Sequence, residues 1–212
     1  MKMELIKTKS TFNYSEYKAL NEAGGVDYKI QANRKSGSYI ANIYENEKLS
    51  YRIHKPYKLI RTPKTPSHYI FDDLNKLIGS LTKNGTGPTN ISFKNNEYIC
   101  YLVGLWDEGI KFVITKANED GEFIQVGLSE LGIKIYDSKA KYEIFALNRS
   151  DAELSMIATL FYDYIRFDKE RKVTKGVSII KVKTKKREFL DKYNPKFKEN
   201  IDASLGGDIY GK

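Results

Sequence analysis

The feature that most constrains the fold of this chain is one long apolar segment, residues 150–167, in a sequence that otherwise favours strands. Within it, Leu154, Ile157 and Phe161 recur at helical spacing, and Met156 makes the opposite face apolar as well. A helix that is apolar on most sides is buried on most sides. At about 27 Å it is too short, and too charged at both ends, to span a bilayer. We therefore expect the rest of the chain to enclose it.

A capping box predicts where this helix begins. Ser150 is followed three residues later by Glu153. In a capping box the serine hydroxyl accepts a hydrogen bond from the Glu153 amide, and the carboxylate accepts one from the Ser150 amide. The pattern predicts that Ser150 is the N-cap and that Glu153 is held by local backbone.

The segments before this helix predict strands separated by turns. The first strand is predicted at residues 3–8, and short apolar segments follow from residue 26 to residue 147, divided by Gly, Pro, Asn and Asp. Residues 13–23 predict a short helix instead, with Asn13 or Ser15 as its cap and Gly24 and Gly25 as its stop.

About a dozen short antiparallel strands and one wholly apolar helix favour a mainly β fold. A closed antiparallel β-barrel of about 12 strands removes the sheet edges, and the buried C-terminal-side helix fills its lumen. The alternative is a β-sandwich with the helix packed across one open end. The predicted organisation is a barrel domain over residues 1–168 and a basic C-terminal extension over 169–212, in which residues 177–182 could add a strand.

The positive charge of the chain is concentrated in one segment. The whole chain carries a net charge of +9. Residues 169–187 contain nine basic residues and one acidic residue, Glu170, whereas residues 1–168 are nearly neutral. On a strand, the lysines at 181, 183 and 185 would share one face. The predicted anion-binding or lipid-binding residues are Lys175, Lys181, Lys183, Lys185, Lys186 and Arg187. A merely solvated segment, an anionic lipid surface and nucleic acid all remain open as interpretations.

Residue types that carry catalysis or bind metals occur without the spacing that such sites need. His54 and His68 have no companion ligands at metal-site spacing. The acidic pairs Asp72–Asp73 and Asp107–Glu108 lie in turn sequences, where aspartate commonly bonds local backbone. We therefore predict no catalytic residues, no metal site, no cofactor and no enzymatic activity.

Cysteine usage and the N-terminal sequence predict a cytoplasmic protein. Cys100 is the single cysteine, so an internal disulfide is excluded, and its apolar surroundings in the sequence predict a core residue. The first residues contain no apolar run of signal-peptide length.

Two repeated units carry a resemblance to a known family. Residues 69–79 and 133–144 each read as strand, Asp/Asn turn and strand, and residues 141–147 lead through a short polar link into the 150–167 segment. In these units and in this order, residues 26–168 resemble the tubby C-terminal-like family and its LURP-one-related, scramblase-like members of bacterial type. The predicted helix at 13–23 and the 44 residues after the apolar segment depart from that pattern.

The resemblance implies a barrel around a central helix and a non-enzymatic cytoplasmic module that recognises anionic lipid or phosphoinositide headgroups. The expected partner is then an anionic membrane surface or a phosphorylated headgroup, with peripheral location at the inner membrane face. Alternatives are a protein-interaction or defence-associated module that docks a protein partner, and nucleic-acid binding through the basic extension.

Overall fold

The structure, a computed structural model, describes residues 1–11, 13–35, 38–55, 66–83, 87–105, 109–131, 140–167 and 189–206. These residues form twelve antiparallel strands that close into one barrel. The strands, in chain order, are β1 Lys2–Ser10, β2 Tyr14–Asn21, β3 Val26–Lys35, β4 Ser38–Glu45, β5 Lys48–Lys55, β6 His68–Asp72, β7 Leu77–Lys83, β8 Thr89–Phe93, β9 Asn96–Leu105, β10 Gly109–Ala117, β11 Phe123–Leu131 and β12 Lys141–Ala146.

The barrel is closed by pairing between its first and last strands. Every other strand pairs with its neighbour in sequence, and β1 pairs with β12 from Lys2 opposite Phe145 to Ile6 opposite Lys141. Closure leaves none of the twelve strands with an unpaired edge, which removes the sites where sheets aggregate. The predicted closed antiparallel barrel of about 12 strands is confirmed.

The helix predicted at residues 13–23 is wrong, because residues 14–21 form strand β2. Ser15, Tyr17 and Ala19 point into the barrel and are buried, whereas the residues between them are not, which is the two-residue period of a strand. The possible caps Asn13 and Ser15 and the glycines that follow suggested a helix, but pairing with β1 and β3 on both sides overrides such local signals.

The apolar helix fills the lumen, as predicted. It consists of α1, Arg149–Tyr162, followed by a π-helical turn, Asp163–Phe167. Every residue from Asp151 to Tyr162 is buried. Its side chains contact strands on all sides of the barrel. Examples are Glu153 with Tyr28 and Tyr51, Phe161 with His68, Tyr162 with Thr89 and Phe112, Thr159 with Ser129, and Asp163 with Lys7, Tyr17 and Tyr142.

The predicted capping box is wrong, because the N-cap is Asn148 rather than Ser150. The Asn148 side chain accepts a hydrogen bond of 3.0 Å from the Asp151 amide. The Glu153 carboxylate does not turn back to local backbone; it accepts hydrogen bonds from tyrosines of the barrel wall. Buried tyrosine hydroxyls that lack water need an acceptor, and the Glu153 carboxylate supplies it to Tyr28 and Tyr51.

The end of the chain returns to the outer face of the barrel. A 3-10 turn, Leu190–Lys192, leads into helix α2, Phe197–Gly206. On α2, Phe197 and Ile201 are buried in an outer apolar cluster that includes Val113 and Leu128. Within the predicted extension over 169–212, α2 therefore packs against the barrel, and the basic residues 169–187 precede it in the sequence. The strand predicted at 177–182 lies outside the described residues.

Among the described residues, no helix is both long enough and apolar enough to cross a membrane.

Candidate functional site

The two ends of the barrel carry opposite charge. Helix α1 begins at one end, where the connections between strands are mostly tight, such as the turn at Asn46 and Glu47 with positive φ values of 47° and 67°. We define the acidic rim as the acidic residues that lie either in these connections or among the two terminal residues of each strand at that end. They number ten, against five basic residues in the same positions. The acidic rim is Glu22, Asp27, Glu45, Glu47, Asp72, Asp73, Glu97, Glu119, Asp120 and Glu122.

At the other end, where α1 ends, the described positions chosen in the same way contain six basic residues and one acidic residue, Glu130. We call the six the basic rim: Lys9, Arg34, Lys35, Lys55, Lys83 and Lys141. The chain passes from Phe167, at this end, into the basic residues 169–187. The basic segment therefore starts, in the sequence, directly after the helical segment that ends at the basic rim.

The dipole of α1 has the sign that suits this arrangement but does not explain it. A helix favours acidic groups at its N-terminus and basic groups at its C-terminus, by about 0.3–1 kcal/mol, within its first and last turns only. The rim residues lie on the strands and connections of the wall, and residues such as Lys35 and Glu119 are exposed to solvent. The segregation of charge is therefore a property of the protein surface.

A buried ion pair lies just inside the basic end. Lys7 Nζ lies 2.8 Å from an Asp163 carboxylate oxygen, and the two side chains are 1% and 0% exposed. The hydroxyls of Tyr17 and Tyr142 donate hydrogen bonds to the same carboxylate. We call these four residues the Asp163 cluster. Burial and the charge of Asp163 raise the pKa of Tyr17 well above its ordinary value, so this hydroxyl stays protonated and remains a donor.

Aromatic and basic side chains pack around Tyr164 at the same end. Its ring stacks on Tyr39 at a centroid distance of 4.2 Å, and Lys55 Nζ donates a hydrogen bond of 3.0 Å to its hydroxyl. The Arg34 guanidinium also lies over this ring, at 5.6 Å from the centroid. Burial raises the pKa of the Tyr39 hydroxyl, which has no hydrogen-bond partner in the described part of the chain. These side chains place two cations of the basic rim on one aromatic support.

The acidic end contains a comparable group, the Glu153 cluster, made by Glu153, Tyr28, Tyr51, Lys94 and Arg149. The Glu153 carboxylate accepts hydrogen bonds from Tyr28 at 2.8 Å, Tyr51 at 2.7 Å and Lys94 at 2.9 Å. Arg149 lies 3.6 Å from it and also pairs with Glu45. Each end of the central helix is therefore fixed to the wall by one carboxylate, two tyrosines and a lysine.

Replacing Glu153 with glutamine is expected to make the free energy of unfolding less dependent on pH under acidic conditions. Burial raises the pKa of Glu153, but hydrogen bonds from Lys94, Tyr51 and Tyr28 outweigh it, and the pKa is lower than its ordinary value of 4.5. A group with a lowered folded-state pKa stabilises the protein above its unfolded pKa, and this contribution is lost as the pH falls through the folded value. The E153Q protein should therefore lose less stability than the parent as the pH falls below 4.5.

Urea unfolding at a series of pH values measures this effect. The matched control is Glu97→Gln, since Glu97 is exposed on the acidic rim and is expected to leave the profile unchanged. If the free energy of unfolding fell as steeply with decreasing pH in E153Q as in the parent, the role given to this carboxylate would be contradicted.

The six residues predicted as an anion-binding site, Lys175, Lys181, Lys183, Lys185, Lys186 and Arg187, lie outside the described residues. The basic rim was missed by the sequence analysis, although a signal for it exists. Once the strands are numbered, basic and acidic residues fall at alternate connections along the chain. Adding up charge over residues 1–168 cancels the two rims and hides them.

Three other candidates, Cys100, His68 and Asp72, have structural positions, whereas the pair Asp107–Glu108 lies outside the described residues. Cys100 is fully buried, and burial raises the pKa of its thiol to about 12, which disfavours the reactive thiolate. His68 is buried and packs edge-on against Phe161 and Tyr164. The Asp72 carboxylate accepts hydrogen bonds from the amides of Leu74 and Lys76, as expected of a turn residue. Within the described ranges, no group of three or more His, Cys, Asp and Glu side chains could hold a metal ion.

Comparison with protein-family models, curated proteins and solved structures finds no significant match for this chain.

Proposed function

We propose that this chain is a non-enzymatic binding module whose basic end recognises anionic lipid or phosphoinositide headgroups at a membrane surface. The observation that supports the proposal is the basic rim, at the end of the barrel from which the chain enters residues 169–187. The resemblance of the sequence to tubby-like proteins implies the same class of ligand. The family assignment is part of the proposal.

The magnitudes favour a surface over a single small ligand. A basic residue close to an anionic membrane contributes about 1 kcal/mol of binding free energy. The basic rim and the segment 169–187 together offer fifteen such residues, so a fraction of them suffices for stable attachment. The acidic rim at the far end would be repelled, and the barrel axis would therefore stand roughly perpendicular to the membrane plane.

Vesicle co-sedimentation tests the proposal with three variants of equal charge change. One variant neutralises the segment (Lys181→Gln, Lys183→Gln, Lys185→Gln), and one neutralises the rim (Lys9→Gln, Lys35→Gln, Lys55→Gln). The control neutralises three exposed lysines away from the basic end: Lys29→Gln, Lys48→Gln and Lys76→Gln. On phosphatidylserine-containing vesicles, each of the first two variants is expected to bind roughly 100-fold more weakly, and the control within a few-fold of the parent.

Three results would contradict the proposal. They are binding to phosphatidylcholine vesicles as strong as to the anionic ones, a loss in the control variant as large as in the two test variants, or full displacement from the vesicles by a single-stranded oligonucleotide at a concentration far below that of the lipid. The last result would favour nucleic acid, whose binding also falls steeply with salt. Vesicles that carry a phosphoinositide at the same total charge distinguish recognition of a headgroup from recognition of charge alone.

A further inference from the structure

We infer that the acidic rim is a docking surface for the basic rim of a second copy of this chain, so that copies associate head to tail. The inference goes beyond lipid binding and does not depend on it. It starts from the two rims, which lie at opposite ends of one barrel and carry opposite charge.

The acidic rim has the apolar side chains that a docking surface requires. Phe123, Ile124 and Leu147 are 53%, 45% and 51% exposed. The Leu147 amide donates a hydrogen bond of 3.2 Å to the Val126 carbonyl oxygen, which places Leu147 beside the start of β11, where Phe123 and Ile124 lie. The exposed acidic residues at 119, 120 and 122 precede them directly in the chain. Exposed apolar groups bordered by charge mark interaction surfaces in proteins.

A shallow groove adjoins this patch. Phe123 and Ile124 form one side of it, and Asp191 and Tyr193, from the segment that leads into α2, form the other. Lys192 lines the same groove, and its Nζ lies 3.0 Å from the Asp191 carboxylate, so the negative charge beside the patch comes from the acidic residues at 119, 120 and 122. The patch therefore combines apolar contact area, negative charge and a concave shape.

Charge complementarity identifies the occupant as the basic end of another copy. Docking of two acidic rims, or of two basic rims, would place like charges against each other, which costs several kcal/mol across an interface. Docking of one rim on the other pairs opposite charges. Because the two surfaces are different and lie at opposite ends, each added copy again presents one free acidic end and one free basic end. The association is heterologous and open-ended.

The net charge of +9 sets the ionic strength at which association is observed. At about 0.1 M salt the screening length is about 10 Å, well below the length of the barrel. Repulsion between whole molecules is then weakened, whereas charges that touch across the interface still attract. At about 1 M salt the screening length falls to about 3 Å, and the contact pairs are screened as well.

Sedimentation velocity and light scattering of the full chain, without lipid, test the inference. At about 0.1 M salt the average mass is expected to rise with protein concentration to at least twice the monomer value of 24.4 kDa, and at about 1 M salt to return to it. The acidic-rim variant (Glu119→Gln, Asp120→Asn, Glu122→Gln) and the basic-rim variant (Lys9→Gln, Lys35→Gln, Lys55→Gln) should each lose this rise.

An equimolar mixture of the two variants distinguishes head-to-tail association from the alternatives. The first variant retains an intact basic rim and the second an intact acidic rim, so the mixture should form a one-to-one dimer and stop there. A parent that stays monomeric at all concentrations, a mixture without the dimer, or self-association retained by either variant would overturn the inference. Circular dichroism of each variant confirms that it is folded. Since lipid is absent, failure here leaves the vesicle result untouched, and the reverse also holds.

Discussion

Replacing Asp163 with alanine is expected to lower the free energy of unfolding by about 3–5 kcal/mol, the typical cost of removing one partner from a buried ion pair. Lys7 and Asp163 are 1% and 0% exposed and lie 2.8 Å apart. The substitution removes the carboxylate from beside a buried ammonium group and also removes the acceptor used by the hydroxyls of Tyr17 and Tyr142. Urea unfolding followed by tyrosine fluorescence measures the loss.

A matched control is available on the barrel wall. Lys29 and Glu47 form an ion pair at 3.5 Å, with side chains that are 56% and 84% exposed. Lys29→Ala is expected to change the free energy of unfolding by less than about 1 kcal/mol, because solvent screens an exposed pair. The double variant Lys7→Met, Asp163→Leu should recover part of the loss, since no buried charge remains. A loss in D163A no larger than in the control would mean that the Asp163 cluster does not stabilise the fold.

Replacing Gly127 with alanine is expected to destabilise the barrel by about 1–3 kcal/mol through overpacking. Gly127 lies on β11 against the central helix, and a Cβ atom there would lie 2.3 Å from Ser155 Oγ. Ser155 is itself fully buried, and its hydroxyl donates a hydrogen bond of 2.7 Å to the Asp151 carbonyl oxygen. Thermal or urea unfolding measures the cost.

A second substitution tests the cause. Ser155→Ala removes the oxygen that the new methyl group would meet, so the double variant G127A/S155A should be more stable than the sum of the two single effects predicts. Neighbouring sites that share a contact couple by about 0.5–3 kcal/mol. Strict additivity would show that the helix does not lie against β11 at this point.

The fold was predictable from the sequence because its main signals are strong and agree with one another. A helix that is apolar on most sides, in a chain that otherwise forms strands, can be buried in few ways. One of them is inside a barrel, and the structure shows every residue of α1 from Asp151 to Tyr162 buried there. The error at β2 has a physical cause. Over residues 14–21, helix propensity and strand alternation compete, and only the pairing of β2 with β1 and β3 decides between them.

The candidate site was less predictable, because it depends on which residues the topology brings together. Lys9, Lys35 and Lys55 are distant in sequence and have ordinary neighbours, and they share one end only once the strand directions are known. Glu153 shows the same limit. Its position three residues after Ser150 fits a local cap, but its partners Tyr28 and Tyr51 are more than 100 residues away.

The pairing of β1 with β12 has a consequence for biosynthesis. The Met1 amino group and the Ala146 carbonyl oxygen that it contacts are 145 positions apart, and α1 leaves the ribosome only after all twelve strands. During translation the inward-facing side chains of the strands therefore remain uncovered until α1 has been synthesised. Contacts so distant in sequence form slowly, and exposed apolar strands invite aggregation meanwhile.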